Sequence, residues 1–130
     1  MNNGKAIVLI VEDSAIIRMG AVELVLSAGY EALEARDAAE AILILESRHD
    51  IDLVFTDVQM PGTMDGIRLS HHIRDRWPPV KLILVSGATI IEESSLPGGS
   101  RFFSKPYDDT TIIDAMARLL ASEASTGTVA

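Results

Sequence analysis

Five polar side chains that follow apolar runs of the sequence are the ones whose types could do chemistry together. They are Glu12, Asp13, Asp57, Ser86 and Lys105. Three carboxylates within several ångströms of one another repel, and the repulsion raises at least one pKa unless a cation relieves it. Oxygen ligands without His or Cys favour a hard divalent ion such as Mg²⁺. A carboxylate beside such an ion can attack a phosphoryl group, so these residue types predict magnesium-assisted phosphoryl transfer.

The position of Asp57 makes it the predicted nucleophile. It closely follows the apolar run 53–55 and precedes a Pro-Gly loop, where an ionised carboxylate costs stability unless something compensates it. The metal and Lys105 would neutralise charge on the phosphoryl oxygens, and Ser86 would donate a hydrogen bond to one of them. From residue type alone a plainer interpretation stays open, with Asp57 as a turn cap, Lys105 as an exposed lysine and Ser86 as a partner of backbone groups.

The elements that must position these residues alternate between strand and helix patterns. Strands are predicted from short apolar or alternating runs at residues 6–11, 30–35, 52–56, 81–86 and 101–104. Between them apolar residues recur at helical spacing, and a last helix is predicted from about Asp109 to Ser122. The predicted fold is α/β, a flavodoxin-like doubly wound sheet of five parallel strands in the order 2-1-3-4-5 with five helices. In such a sheet ligands bind at the carboxyl ends of the strands, which is where the polar residues stand.

Composition and charge limit the class of protein. The chain has 130 residues, 48% of them hydrophobic, which suffices for one core and leaves little room for a second. The net charge of −8 argues against binding to nucleic acid. The absence of cysteine excludes disulfides and thiolate metal sites. No apolar run has the length of a signal peptide or a membrane span, so a cytoplasmic protein without membrane contact is expected.

Four motifs at the predicted strand ends resemble the receiver domain of two-component response regulators, along essentially the whole chain. They are VED at 11–13, TDVQMPG with MDG around Asp57, LVSGA at 84–88 and FFSKPY at 102–107. Each motif alone is weak, whereas all four in order are specific. The resemblance implies that Asp57 is the phosphoacceptor, that Asp13 is a direct Mg²⁺ ligand, and that Glu12 acts on the metal mostly through water.

The same resemblance assigns the remaining site residues. It implies that the backbone carbonyl of Gln59 completes the metal shell and that Ser86 is the switch hydroxyl. Lys105 matches the lysine of the family's site, with a cis peptide bond to Pro106. Phe102 matches the aromatic switch position, although a phenylalanine without a hydroxyl is expected to stay buried in both states.

The resemblance also implies partners and a mode of action. The phosphoryl donor would be a phosphohistidine on a sensor histidine kinase or a histidine phosphotransfer protein, and the output would be contact with a downstream protein. The domain would catalyse its own phosphorylation and slow hydrolysis, so it is not a conventional enzyme.

Several alternatives to that function stay open. Because the sequence ends shortly after the last predicted helix, a regulator without an output domain is expected; a receiver excised from a hybrid kinase, or a phosphate sink or shuttle, is the alternative. An FMN-binding electron carrier of the same topology is more remote, since Glu12 and Asp13 put negative charge where the phosphate would bind. A small aspartate-nucleophile phosphatase and a pseudo-receiver that binds partners without phosphorylation are further alternatives.

Two local departures from the family pattern carry predictions. One extra residue, Thr63, lengthens the loop after Asp57, which is a cheap change. Between Ser86 and Lys105 the chain is short and contains Pro97-Gly98-Gly99, which cannot continue a helix. The fourth helix is therefore predicted to be short, about residues 90–96, or partly disordered. The resemblance implies that the fourth helix, the fifth strand and the fifth helix form the output face of the domain, so a remodelled output face is expected here.

The predicted domain boundaries follow from the last helix. A receiver domain is predicted over residues 1–122. The composition of residues 123–130 predicts a flexible C-terminal tail.

Overall fold

Strands and helices alternate along the chain, as the sequence predicts. The structure, a computed structural model, describes residues 4–62, 64–87 and 91–129, with side chains described as far as residue 121. The elements are β1 (Ile7–Val11), α1 (Ala15–Ser27), β2 (Glu31–Ala35), α2 (Ala38–Ser47), β3 (Leu53–Asp57), α3 (Gly66–Arg76), β4 (Lys81–Ser86), a 3-10 turn (Glu93–Ser95), β5 (Arg101–Ser104) and α4 (Asp109–Val129).

The five strands form one parallel sheet in the order β2-β1-β3-β4-β5, which confirms the predicted topology. Asp57 pairs with Val85, and Ser86 pairs with Ser104, so β3, β4 and β5 end at nearly the same level. The carboxyl ends of the strands consequently meet at one edge of the sheet.

Two apolar layers cover the sheet, one on each face. On one face α2 and α3 pack on the strands through residues such as Leu45, Leu69 and Ile73, all essentially inaccessible to solvent. On the other face α1 and α4 pack through residues such as Val25 and Met116. Truncation of one such buried aliphatic side chain to alanine typically costs about 2–5 kcal/mol, so these layers hold the strand ends in place.

Each of the first three helices begins at a polar cap that the sequence can supply. Ser14 accepts a hydrogen bond from Ile17 N at 3.3 Å at the start of α1. At the start of α2, Asp37 accepts from Glu40 N at 2.9 Å, as the D-x-x-E pattern predicts. Asp65 accepts from Arg68 N at 2.9 Å and starts α3 close behind the loop that leaves β3. These caps fix where each helix leaves the functional edge of the sheet.

The connection from β4 to β5 differs from the predicted short helix. The described part of residues 90–96, which excludes Ile90, contains only the 3-10 turn, so the described residues have four α-helices where five helices were predicted. Pro97, which has no backbone N–H, and the left-handed Gly99, with φ of 83°, prevent a helix from continuing beyond Leu96. The prediction of a short element is thus confirmed, and its type is 3-10.

The last helix begins at Asp109 as predicted but extends beyond the predicted end. It continues to Val129, whereas the sequence predicted an end near Ser122 and a tail over 123–130. Once a helix is nucleated, each added residue needs only one more hydrogen bond, and this stretch contains no proline. The boundary at residue 122 and the flexibility of the tail stay predictions.

Within the part of the chain that the structure describes, no helix combines the length and the apolar character that a membrane crossing requires.

An acidic cluster at the carboxyl edge of the sheet

Three of the predicted site residues form one acidic cluster at the sheet edge. Glu12 and Asp13 follow β1, Asp57 ends β3, and one carboxylate oxygen from each lies within 4.8 Å of the other two. Glu12 and Asp57 are only 5% and 6% exposed, while Asp13 is open to solvent. Since β1 and β3 are adjacent, the parallel register brings these residues together directly.

Lys105 reaches the same cluster from the end of β5. Its Nζ lies 3.3 Å from Asp57 Oδ2 and 3.6 Å from Glu12 Oε1. Its backbone N–H donates to the carbonyl oxygen of Ser86 at 2.8 Å, which ties the start of the next loop to β4. The following Lys105–Pro106 peptide bond is cis, as the resemblance implied. The predicted lysine therefore lies in the cluster, where its ammonium contacts two of the three carboxylates.

Burial and crowding perturb the titration of the cluster. The pKa of Glu12 is raised above its ordinary value, first by burial and then by the nearby charge of Asp57. The backbone N–H of Ser14, 2.9 Å from Glu12 Oε2, and the Lys105 ammonium act in the opposite direction. Tyr107 is next to the site, and its pKa is raised mainly by burial and also by the charges of Asp109, Glu12 and Asp57. The pocket is thus one in which additional negative charge is disfavoured and a cation is favoured.

The Asp57 carboxylate has one oxygen without a partner. Oδ2 faces Lys105, whereas the buried Oδ1 has no hydrogen-bond partner among the described residues. A buried charged oxygen without a partner costs free energy, and an oxygen-binding cation would remove that cost. The donor set, three carboxylates without a sulfur or imidazole ligand, suits a hard divalent ion such as Mg²⁺. The residues present therefore fit the predicted metal.

Ser86 lies at the same edge, and its hydroxyl is already engaged. The residue is fully buried at the end of β4, and its Oγ donates to Oε1 of Gln59 at 2.8 Å. Gln59 entered the predictions only through its backbone carbonyl. The contact made by its side chain had no signal in the sequence, because it joins a loop to a strand 27 residues away.

Phe102, the predicted aromatic switch, is in β5 beside β4. It pairs with Leu84, two residues before Ser86, and is half-buried against the layer formed by α2 and α3. The burial expected of a phenylalanine at this position is therefore partial, since β5 is an edge strand.

Gly66 permits the close approach of α3 to the end of β3. A Cβ built on Gly66 would overlap the backbone oxygen of Asp57 and lie 2.8 Å from the Cα of Val58. The Gly66 N–H donates to the Val58 carbonyl oxygen at 2.8 Å, so the helix start is bonded to the chain just after Asp57. The Asp-Gly pair in the sequence is the signal for this contact, although it does not reveal the partner.

Arg18 supports the acidic cluster from α1, although the sequence alone predicts only a surface charge at this position. Its guanidinium donates to the backbone oxygen of Glu12 at 2.8 Å and to the Glu34 carboxylate at 3.0 Å. Arg18 therefore holds the backbone just after β1 against β2. The extra loop residue Thr63, to which a prediction was attached, lies outside the described residues.

Comparison with known proteins agrees with this geometry. The family model for the response regulator receiver domain matches residues 8–117. The chain is 35% identical over 125 residues to the sensor kinase CckA of Brucella abortus, covering 93% of this chain and 13% of that protein. It is 37% identical over 112 residues to the transcriptional regulatory protein PdtaR of Mycobacterium tuberculosis, covering 84% and 54% respectively.

A similar solved structure is the signal receiver domain of an HD domain-containing protein from Pseudomonas fluorescens Pf-5. It superposes with a TM-score of 0.84 at 28% identity and covers 93% of this chain and 98% of that one. The chain belongs to the response regulator receiver domain family, and it is a receiver domain of the two-component signalling type.

The relatives differ in what surrounds the receiver. The chain spans 13% of the length of CckA and about half the length of PdtaR, so their receiver regions are parts of longer proteins. Relatives that are kinases and relatives that are regulators both match, and a receiver within a kinase is thus as compatible with the comparisons as a separate regulator. The family match favours neither the FMN carrier nor the phosphatase interpretation.

Proposed function

We propose that the chain accepts a phosphoryl group on Asp57 from a phosphohistidine of a sensor kinase or phosphotransfer protein, in a Mg²⁺-dependent step. The modified domain then presents a changed surface to a downstream protein. The observation that carries the proposal is the buried Asp57 Oδ1, which has no hydrogen-bond partner among the described residues. It lies in a group of three carboxylates, two of which contact Lys105. The family match supports the same reaction class.

Each residue of the cluster has a task in that reaction. Glu12, Asp13, Asp57 and the Gln59 backbone carbonyl would hold the ion. When bound, Mg²⁺ would supply positive charge against the oxygens of the transferred group. Lys105 Nζ, which is 3.3 Å from Asp57 Oδ2, is positioned to compensate charge on the same oxygens.

The transfer needs no reactant other than the phosphohistidine and the Asp57 carboxylate. A carboxylate oxygen of Asp57 attacks phosphorus, and the new P–O bond forms as the P–N bond to the donor imidazole breaks. The electron pair stays on the imidazole nitrogen, which then takes up a proton. The signal ends by hydrolysis: water attacks phosphorus and releases inorganic phosphate, which restores the Asp57 carboxylate.

The surface of α1 beside the cluster suits docking of the phosphoryl donor. Ile16 and Met19 are 82% and 63% exposed, and Ile17 lines the same cleft as Glu12 and Asp57. Exposed apolar side chains next to a reactive group favour contact with an apolar partner surface. The donor's histidine would then approach Asp57 from the solvent side of Asp13.

The experiment uses acetyl phosphate with MgCl₂ and intact-mass measurement. Wild type should gain the mass of one phosphoryl group, and Asp57→Asn should gain none, because an amide is not a competent nucleophile here. Asp52→Asn is the matched control, since Asp52 precedes the same strand at its far end and accepts from Ile7 N at 2.9 Å. Labelling of Asp57→Asn, or loss of labelling in Asp52→Asn with the fold intact, would contradict the proposal.

A further inference from the structure

The hydrogen bond between Ser86 and Gln59 occupies the donor that phosphorylation needs. Ser86 Oγ lies 2.8 Å from Gln59 Oε1 and donates to it. A serine hydroxyl has one proton to donate, while phosphoryl oxygens only accept. Ser86 therefore cannot serve the Gln59 amide oxygen and a phosphoryl oxygen with the same proton.

The two partners differ in how easily they can move. Ser86 is fully buried in β4, and its carbonyl oxygen is held by Lys105 N at 2.8 Å. Gln59 is exposed in the loop after β3, so its amide can turn to water and have its hydrogen bonds replaced there. When the hydroxyl changes partner, the glutamine side chain is the one that leaves.

We propose that the Gln59 side chain is a latch that holds the Ser86 hydroxyl in the unphosphorylated state and is displaced by the phosphoryl group. The latch opposes phosphorylation by the free energy of one exchanged hydrogen bond, and it makes Gln59 a positioning residue that acts through Ser86. The inference rests on the proposed function of Asp57, and it concerns the side chain of Gln59, separately from the metal-binding role of its backbone.

The test measures binding of beryllofluoride, a phosphoryl mimic, in excess MgCl₂ by calorimetry. Gln59→Met keeps the length of the side chain and removes the amide, so we expect about two- to tenfold tighter binding than wild type. Gln59→Asn, whose amide is one methylene too short to reach Ser86, should tighten binding in the same direction. Binding of Mg²⁺ alone is measured for all three proteins, so that a change in beryllofluoride affinity is separated from any change at the metal site.

The decisive control repeats the change without the latch partner. In a Ser86→Ala background, Gln59→Met should leave beryllofluoride affinity unchanged, since the hydrogen bond is already absent. Equal effects in both backgrounds, no effect in either, or weaker binding by Gln59→Met would overturn the latch. Wild type that binds no beryllofluoride at all would instead overturn the proposed function, and the latch with it.

Discussion

The two sides of the site are built differently. On the side of β1 and β3 every strand residue is buried, and the acidic residues at the carboxyl ends of these strands are nearly inaccessible, apart from Asp13. On the side of β4 and β5 the described part of the connection contains one 3-10 turn with exposed residues, and β5 has no fully buried residue. The reactive carboxylates are thus supported by the core, whereas the neighbouring surface rests on few packed side chains.

Under the proposed function, this difference would separate the chemistry from the surface that a partner contacts, within one small domain. Side chains that must hold a metal and a phosphoryl group need fixed positions, which a buried parallel sheet provides. A surface that changes on signalling needs a low cost of rearrangement, which an exposed edge strand and a short turn provide. Substitutions on the two sides should therefore have effects of different size and kind.

The largest effect on stability is expected from Gly66→Ala, next to the end of β3. The added methyl would overlap the backbone of Asp57, so unfolding free energy should fall by about 3 kcal/mol and the cluster should be displaced. Urea denaturation measures the fall in unfolding free energy, and Mg²⁺ titration measures the effect of the displaced cluster on metal binding. Gly20→Ala is the matched control, because Gly20 is in α1 with open space around its Cα; it should raise stability by about 0.5–1 kcal/mol. Equal stabilities of the two variants would contradict this account of α3.

An intermediate effect, dependent on pH, is expected from Glu12→Gln. The raised pKa of Glu12 means that the folded state retains a proton above the ordinary value of 4.5, so this residue destabilises the metal-free fold as pH rises through the raised pKa. Thermal unfolding in EDTA should therefore show the variant gaining stability relative to wild type with rising pH. Added Mg²⁺ should reverse the order, because wild type keeps the ligand. Parallel pH profiles for the two proteins in EDTA would refute this role for Glu12.

The smallest effect on stability is expected from His71→Ala, near the connection between β4 and β5. His71 Nε2 lies 2.7 Å from the carbonyl oxygen of Ser95 and ties the 3-10 turn to α3. Its loss should change unfolding free energy by less than about 1 kcal/mol and accelerate amide hydrogen exchange in residues 93–96. His49→Ala, at another exposed histidine, should leave that exchange unchanged. Strong protection of residues 93–96 in the His71 variant would show that the turn is held by other contacts.

Much of the fold could be predicted because buried parallel strands have a plain pattern. The runs that became β1, β3 and β4 are almost wholly apolar. At or just after the end of a strand stand Glu12, Asp13, Asp57, Ser86 and Lys105. Once the strand order follows from right-handed crossovers, Glu12, Asp13 and Asp57 must meet.

The parts that could not be predicted depend on tertiary contacts or on helix ends. The bonds of Ser86 to Gln59 and of Arg18 to the Glu12 backbone join residues whose types are common on any surface. The 3-10 turn and the extension of α4 reflect small free-energy differences between helix types and helix lengths, which local composition does not resolve.

Lys105 contacts residues on both sides of the site. Its Nζ contacts the Asp57 carboxylate, while its backbone N–H donates a hydrogen bond to the carbonyl oxygen of Ser86. Under the proposed function, a phosphoryl group added to Asp57 would therefore act on the edge formed by β4 and β5 through Lys105 itself. This connection does not depend on the segment between β4 and β5, whose described residues contain only a 3-10 turn.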